Sequence, residues 1–111
     1  DAWNLSPVVQ ITHLLGSCDG SEHICVRPYS QQGGYIGYTG WKAAGRNFKY
    51  VGIHLNVYYL TSPNYSTVCH ELGHALGLAH ADYALGPSCM TAGPTSMWPS
   101  AHDYEQLDSI Y

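Results

Sequence analysis

The sequence predicts a small α+β domain in which a mixed β-sheet packs against two helices. Residues 50–60 (YVGIHLNVYYL) place Val, Ile and Tyr at alternating positions, which is typical of a half-buried strand. Residues 66–76 carry apolar side chains at helical spacing and predict a helix directly after that strand. Ser100 followed by Asp103 is typical of a capped helix start and predicts a second helix at the C-terminal end.

Three further strands are predicted before this helix. They are residues 8–15 (VVQITHLL), 23–29 (HICVRPY) and 33–40 (GGYIGYTG). The glycines of the third segment favour an edge strand that another backbone can approach closely. Residues 41–49 (WKAAGRNFK) hold three of the four basic residues and are expected to form a loop.

The predicted helices have recognisable caps and buried faces. Ser62 or Ser66 is a suitable N-cap for the first helix, whose apolar contacts would come from Leu72, Ala75, Leu76 and Leu78. For the C-terminal helix, the expected buried face consists of Leu107, Ile110 and Tyr111.

Composition restricts the classes of protein and of partner. The chain has 111 residues, and residues 1–111 are expected to form one domain. Only 11% of the residues are charged and the net charge is −4, which argues against a nucleic-acid partner. No apolar run is long enough for a transmembrane helix, so no membrane partner is expected either. The polar, weakly charged surface favours a secreted protein, which would be present in processed form because no signal peptide is visible. A monomer is expected.

The four cysteines also favour an oxidising compartment. None forms a C-x-x-C pair, so a zinc ribbon or a redox motif is not indicated. Of the three pairings that four cysteines allow, we favour Cys18–Cys25 and Cys69–Cys89, and each disulfide would contribute about 2–3 kcal/mol to stability. Free thiols, or a cysteine that binds zinc, remain the alternatives.

The segment His70–His80 (HELGHALGLAH) has the spacing of a metal site. His70 and His74 are about 40° apart around a helix and about 6 Å apart along it, so both imidazoles can bind one ion. Glu71 is about 100° from His70 and flanks such an ion without binding it. On an unbroken helix His80 would lie about 15 Å away along the axis. Gly77 can end the helix with a positive φ and return His80 to the other two.

Three neutral imidazoles leave one position of a tetrahedral zinc ion open, which is typical of a catalytic site rather than a structural one. Zinc lowers the pKa of a water molecule to about 7, and Glu71 could accept its proton and pass it to a leaving amine. The segment therefore predicts one catalytic zinc ion held by His70, His74 and His80, with Glu71 as the catalytic base. The sequence gives no indication for or against a structural calcium ion.

With H-E-x-x-H-x-x-G-x-x-H at residues 70–80, the sequence resembles the metzincin clan of zinc endopeptidases, which has a zincin-like fold. The resemblance implies a methionine turn under the metal site, for which Met90 is the candidate and Met97 the alternative. It also implies a C-terminal helix, a peptide or protein substrate that pairs with the edge strand near residues 34–39, and a pocket for the side chain after the scissile bond, walled by residues 91–98. Within the clan, residues 80–89 (HADYALGPSC) look closest to snapalysin.

The sequence departs from this pattern in several places. Snapalysins typically have Asp as the third ligand where this chain has His80, and Ala81 assigns no subfamily. Ala92 replaces a tyrosine that can contact zinc in some metzincins. The N-terminal strand and most of the first helix of the clan are missing from this sequence, and residues 1–5 resemble only the end of that helix.

Most of the remaining histidines and aromatic residues are expected to have structural rather than catalytic roles. We expect His13, His23, His54 and His102 on the surface or in strands, and Trp3, Trp41 and Trp98 in packing. Tyr83 and Tyr104 are candidate donors to the oxyanion. The leading hypothesis is a secreted zinc metalloendopeptidase. A zinc-binding module that no longer cleaves, and a zinc hydrolase acting on something other than peptides, are its alternatives.

Overall fold

A computed structural model of the chain describes residues 2–12, 18, 24–44, 47–59 and 65–111. A 3-10 turn, Ala2–Leu5, precedes three strands: β1 (Ile24–Tyr29), β2 (Gly37–Ala44) and β3 (Asn47–Asn56). Helix α1 (Tyr65–Ala75), a second 3-10 turn (Tyr83–Leu85) and helix α2 (Ala101–Ile110) follow. The predicted α+β class is confirmed. None of the described helices is both long and apolar enough to cross a membrane.

The three strands form a mixed sheet in the order β1–β3–β2. β1 runs parallel to the central strand β3, and β2 runs antiparallel to it, with Thr39 opposite Ile53. The segment predicted as an edge strand therefore lies at an edge. It begins at Gly37 rather than at residue 33, because residues 32–34 form a turn and a bend before it.

The prediction of a loop at residues 41–49 is wrong at residues 41–44 and 47–49, and residues 45 and 46 lie outside the described residues. Trp41–Ala44 complete β2 and residues 47–49 open β3, with Ala43 opposite Phe48 and Ala44 opposite Asn47. The backbone groups of each strand pair with those of the other. Ala43 and Ala44 add no alternation of apolar and polar residues from which a strand could be predicted. The pairing shifts register between Lys42 and Ala43.

The predicted strand at residues 8–15 is also wrong over its described part, because residues 8–12 contain no strand. The Asn4 side chain provides the reason. Its Oδ1 accepts a hydrogen bond from Ile11 N and its Nδ2 donates to Ile11 O, so a side chain takes the place of a neighbouring strand. Residues 13–15, His23, Leu60 and Ser62 lie outside the described residues. β3 ends at Asn56, and residues 57–59 form a turn.

Helix α1 packs between the sheet and the segments that follow it. Ser66 lies inside α1, so it is not the N-cap. The Trp3 indole Nε1 donates to Cys69 O over 3.0 Å and ties the N-terminal turn to the helix. The four apolar contacts predicted for the helix and its end are all buried. The core contains Trp3, Val51, Ile53, Cys69, Leu72, Ala75, Leu76, Leu78, Cys89, Met90 and Leu107.

Helix α2 begins as predicted, with Ser100 as its N-cap and a reciprocal capping box formed with Asp103. Its predicted buried face is wrong at two positions, since only Leu107 is buried while Ile110 and Tyr111 are 49% and 59% exposed. The C-terminal end of α2 lies next to the turn at Gly77 that ends α1. There Ile110 lies close to Gly77, and the Tyr111 hydroxyl donates to Leu76 O.

All four cysteines are bonded in the structure. Cys18 is bonded to Cys25 at the start of β1, and Cys69 of α1 is bonded to Cys89, with Cα atoms 6.0 and 5.9 Å apart. The second disulfide joins the residue before His70 to the residue before Met90. No thiol is left for metal binding.

Candidate metal centre

The three histidines of the segment 70–80 converge on one point. His70 Nε2 lies 3.0 Å from His74 Nε2 and 3.2 Å from His80 Nε2. One ligand atom from each imidazole lies within 4.8 Å of the others. His70 is buried, His74 is half-buried and His80 is exposed, so the cluster opens to solvent on one side.

Backbone carbonyls determine which ring nitrogen faces the centre. Nδ1 of His70 lies 2.7 Å from Cys89 O, and Nδ1 of His74 lies 2.8 Å from Leu78 O. A carbonyl oxygen can only accept, so both Nδ1 atoms carry the proton and both Nε2 atoms present a lone pair. Converging lone pairs repel each other unless a cation lies between them. Histidine ligands of metals are commonly oriented in this way, by a hydrogen bond from the ring nitrogen that does not bind the ion.

The turn at Gly77 brings His80 to the helical pair. Gly77 has φ +100°, Gly77 N donates to His74 O, and Leu78 N donates to Gly73 O. This pair of bonds is the Schellman motif, which requires a left-handed residue at the position after the helix. The same turn places Leu78 O against His74 Nδ1. One backbone feature thus ends α1, orients the second histidine and redirects the chain towards the third.

Met90 lies directly under α1, at the position that the sequence assigned to a methionine turn. It is fully buried, whereas Met97 is 56% exposed. A Cβ on Gly73 would overlap the Met90 sulfur and would lie 2.8 Å from Trp3 Cζ2, so only glycine fits there. Ala81 N donates to Met90 O over 2.9 Å and holds the chain after His80 against this turn.

The turn that contains Met90 is also fixed to α2. The Ser88 hydroxyl donates to Asp103 Oδ2 and accepts from Met90 N. Ser100 N donates to the same carboxylate oxygen, so Asp103 both completes the capping box of α2 and supports the methionine turn. The sequence analysis assigned Asp103 to the helix cap only, and nothing in the spacing indicates its contact with Ser88.

Glu71 lies beside the histidine cluster and is buried, with 5% of its surface exposed. Its Oε2 accepts a hydrogen bond from the Thr39 hydroxyl over 2.5 Å. On the other side, Gly37 of β2 leaves room for the carboxylate, since a Cβ there would lie 3.4 Å from Glu71 Oε1. Thr39 lies in the predicted edge strand, but its contact with Glu71 was not predicted from the sequence.

The donor set fits a metal ion that prefers nitrogen ligands. Three imidazole Nε2 atoms are offered, a set that suits zinc and other first-row transition metals. The two short separations approach the spacing of about 3.3 Å expected for nitrogens at 2.0–2.1 Å from a tetrahedral zinc ion. Burial lowers the pKa of His70 from its usual 6.5, outweighing the Cys89 carbonyl, which raises it. His70 therefore favours the neutral form that binds metals.

A cleft of about 660 Å³ opens beside the cluster. Strand β2 and the segment before it form one side, and Ala92 and Pro94 lie on its border. Among the described residues that line the cleft, only the three histidines and Glu71 carry ionisable acid or base groups apart from tyrosine. The rest of the lining consists of Gly34, Tyr35, Ile36, Gly37, Tyr38, Thr39, Trp41, Thr67, Ala92 and Pro94. Trp41, expected in packing, is 47% exposed and borders this cleft.

A buried asparagine supports the rim of the cleft. Asn56 is fully buried at the end of β3. Its Nδ2 donates to Gln31 O and Tyr35 O over 2.8 and 2.9 Å, and its Oδ1 accepts from Gln31 N. The segment before β2 therefore has a fixed position. Sequence analysis did not identify this role, because Asn at a strand end ordinarily indicates a turn.

The two tyrosines suggested as oxyanion donors do not line the cleft. The Tyr104 hydroxyl donates to Ala2 O, and its ring packs edge-on against Trp3. The Tyr83 hydroxyl accepts from Gly93 N and supports the segment 91–98, of which only Ala92 and Pro94 border the cleft.

The other aromatic residues and histidines lie apart from the metal centre. Trp3 is buried as expected, whereas Trp98 is 55% exposed. His54 of β3 stacks on Tyr38 with ring centres 4.4 Å apart, and His102 lies half-buried on α2. His13 and His23 lie outside the described residues.

Comparison with known proteins assigns a family. Residues 6–111 match the family described as dual-action HEIGH metallo-peptidase. No curated protein and no solved structure gives a significant match. The chain reads HELGH at residues 70–74, where two of the three converging histidines lie. The match spans nearly the whole chain, and the chain therefore belongs to the dual-action HEIGH metallo-peptidase family, with His70, His74 and His80 as its candidate metal site.

Proposed function

We propose that this metallopeptidase is a zinc-dependent endopeptidase in which Glu71 acts as the general base and then as the general acid. The observation that carries the proposal is the position of Glu71. Its carboxylate is buried beside three converging imidazoles, in a cleft bordered by an edge strand, and it is not one of the converging ligands. A site that only bound metal would have no use for this carboxylate.

The imidazoles of His70, His74 and His80 would hold one zinc ion through Nε2. When bound, zinc polarises a carbonyl oxygen and lowers the pKa of water to about 7. The protein contributes the orientation of the ligands, since carbonyls of Cys89 and Leu78 hold two of the rings. No cysteine competes, because all four are bonded.

Glu71 would carry the proton between the water and the leaving nitrogen. Its Oε2 is engaged by Thr39, which leaves Oε1 on the side of Gly37, another residue of the cleft lining. A carboxylate held within a cleft can accept a proton from a water molecule and donate it to the amine of the departing peptide.

The substrate would bind as an extended strand along β2. Asn56 N donates to Ile36 O over 2.8 Å, so backbone groups of Ile36 face β3. Backbone direction alternates in antiparallel pairs, and the N–H and C=O of Gly37 and Thr39 therefore point away from β3 towards the open edge. An extended peptide can pair with these groups by β-augmentation.

The setting of the enzyme is also part of the proposal. Two disulfides in 111 residues are typical of proteins from oxidising compartments, and we propose that the enzyme acts outside the cell. We further propose that residues 1–111 form a single catalytic domain that acts as a monomer on peptides and proteins.

The test compares wild type with Glu71→Gln on casein and on a peptide library, both proteins being loaded with zinc. The proposal expects one zinc per chain in both, cleavage by the wild type that 1,10-phenanthroline blocks, and none by Glu71→Gln. Glu105→Gln on the exposed side of α2 is the matched control and should cleave normally. Stoichiometric zinc without cleavage of any peptide by the wild type would instead indicate a binding module.

A further inference from the structure

We propose that Thr39 is a positioning residue, whose hydroxyl holds the Glu71 carboxylate in place from the edge strand that would bind the substrate. This inference rests on the proposed function, since it assigns Glu71 the proton-transfer role. It goes further by stating which element sets the direction of the carboxylate, and it separates that task from metal binding.

The Thr39 hydroxyl contacts two oxygen atoms of Glu71. Oγ1 lies 2.5 Å from Glu71 Oε2 and 3.1 Å from Glu71 O. A hydroxyl has one hydrogen to donate, and the shorter contact has the length of a charge-assisted bond to a carboxylate. Thr39 therefore donates to Oε2, which fixes one oxygen of the carboxylate and leaves the other for chemistry.

Gly37 lies two residues before Thr39, on the same face of β2, and leaves room for the Glu71 carboxylate. A Cβ at this residue would lie 3.3 Å from Glu71 Cγ and 3.4 Å from Oε1, and also 3.1 Å from the backbone oxygen of His54. The contacts with His54 O and Glu71 Cγ would be shorter than ordinary van der Waals contact, and the contact with Oε1 would lie at its lower limit. The absence of a side chain at Gly37 thus leaves room for Oε1. The Glu71 carboxylate lies between Gly37 on one side and the Thr39 hydroxyl on the other.

The same two residues direct their backbone groups towards the open edge. A peptide paired with Gly37 and Thr39 would be placed by the same strand that holds Glu71, so the distance between the scissile bond and the carboxylate is set within one element. No histidine ligand is among the hydrogen-bond partners found for the Thr39 hydroxyl. Loss of the hydroxyl should therefore alter the turnover step while leaving metal affinity intact.

The test uses Thr39→Val, which keeps the shape and removes the donor, with Thr39→Ser as the matched control that keeps the donor. We expect kcat of Thr39→Val to fall about 10- to 100-fold, which is part of the roughly 10²- to 10⁴-fold that a well-positioned general base contributes. KM should stay unchanged, because the backbone groups that pair with the peptide remain. Thr39→Ser should recover most of kcat.

A second measurement is independent of activity. Crystal structures of the metal-free wild type and variants should show the carboxylate in one orientation for wild type and Thr39→Ser, and displaced or in several orientations for Thr39→Val. Zinc stoichiometry and affinity should be equal in all three. If Thr39→Val does not fold, as judged by its melting curve, Thr39→Ala takes its place with the same expected result.

The outcomes separate this inference from the proposed function. If Glu71→Gln is inactive while Thr39→Val matches wild type in kcat, the positioning role is overturned and the proposed function stands. Equal losses in Thr39→Val and Thr39→Ser, or an unmoved carboxylate in Thr39→Val, would overturn it as well. If Glu71→Gln retains full cleavage, the proposed function fails first.

Discussion

At the scale of single residues, two backbone carbonyls decide the chemistry of the metal centre. The sequence spacing predicted which histidines converge, and the structure places them together. Spacing could not predict that Cys89 O and Leu78 O hold the protons of His70 and His74 on Nδ1. These contacts depend on where the chain returns after α1, and a return path is a property of the fold rather than of a motif.

The burial of His70 predicts how stability depends on pH. The pKa of His70 is lowered in the folded protein from its ordinary value of 6.5. As the pH falls below 6.5, the unfolded chain therefore binds a proton at this residue more readily than the folded protein does. The contribution of His70 to the free energy of unfolding is complete above 6.5 and is lost as the pH falls through the folded pKa. Urea unfolding of the metal-free protein between pH 5 and 7 should show this loss, and His70→Gln should reduce the slope. An equal slope in both proteins would contradict the assignment to His70.

At the scale of elements, the turn that ends α1 does more than stop a helix. Gly77 supplies a positive φ, the Schellman bonds close the helix, and Leu78 O then orients His74. The candidate metal ligands of α1 and the candidate ligand beyond it are therefore positioned by a single turn, which the sequence predicted from one glycine.

Gly77→Ala should destabilise the fold and weaken metal binding together. An alanine at φ +100° is strained, and we expect a loss of about 1–2 kcal/mol in the free energy of unfolding. Displacement of His80 should lower zinc affinity, measured by competition with a chelating dye. Gly86→Ala is the matched control, since Gly86 has φ +96° and no atom near its missing Cβ. It should lose similar stability while retaining zinc affinity, and equal zinc losses in both variants would contradict this account.

The elements show where sequence reasoning is strong and where it fails. Strand β3, helix α1 and the cap of α2 follow from alternation, helical spacing and the Ser100–Asp103 pair. The continuation of the hairpin through Ala43 and Ala44 depends on pairing between strands, and small side chains do not reveal it. The irregular N-terminal segment depends on the contact of Asn4 with Ile11, seven residues away.

The candidate site shows the same division. The metal ligands and Glu71 come from one short segment, so their spacing was informative. Thr39 and Asn56 act on the site from strands that lie 32 and 25 residues from their partners Glu71 and Gln31. Their roles required the sheet order and register, which the sequence did not determine.

At the scale of the whole molecule, the metal centre joins α1 to the methionine turn. The disulfide between Cys69 and Cys89 connects them covalently next to His70, and Asp103 extends the connection to α2. The site therefore depends on the packing of the C-terminal half of the chain and not on the segment 70–80 alone.

Removal of this disulfide should affect stability and metal binding, whereas removal of the other should affect stability only. The pair spans 20 residues, and its loss in Cys69→Ala with Cys89→Ala should cost about 3 kcal/mol by loop entropy. Zinc affinity should fall, because Cys89 O orients His70. Cys18→Ala with Cys25→Ala, a pair spanning 7 residues, is the control and should keep zinc affinity. Unchanged zinc affinity in both double variants would contradict the coupling.

X-ray absorption spectroscopy of the zinc-loaded protein can establish whether three histidines bind the metal, because it counts the atoms bound to the ion. The account predicts three imidazole nitrogens and one oxygen at about 2.0–2.1 Å, and a loss of one imidazole in His80→Ala. A sulfur near 2.3 Å, or a spectrum that His80→Ala leaves unchanged, would contradict a site made of three histidines with one open position.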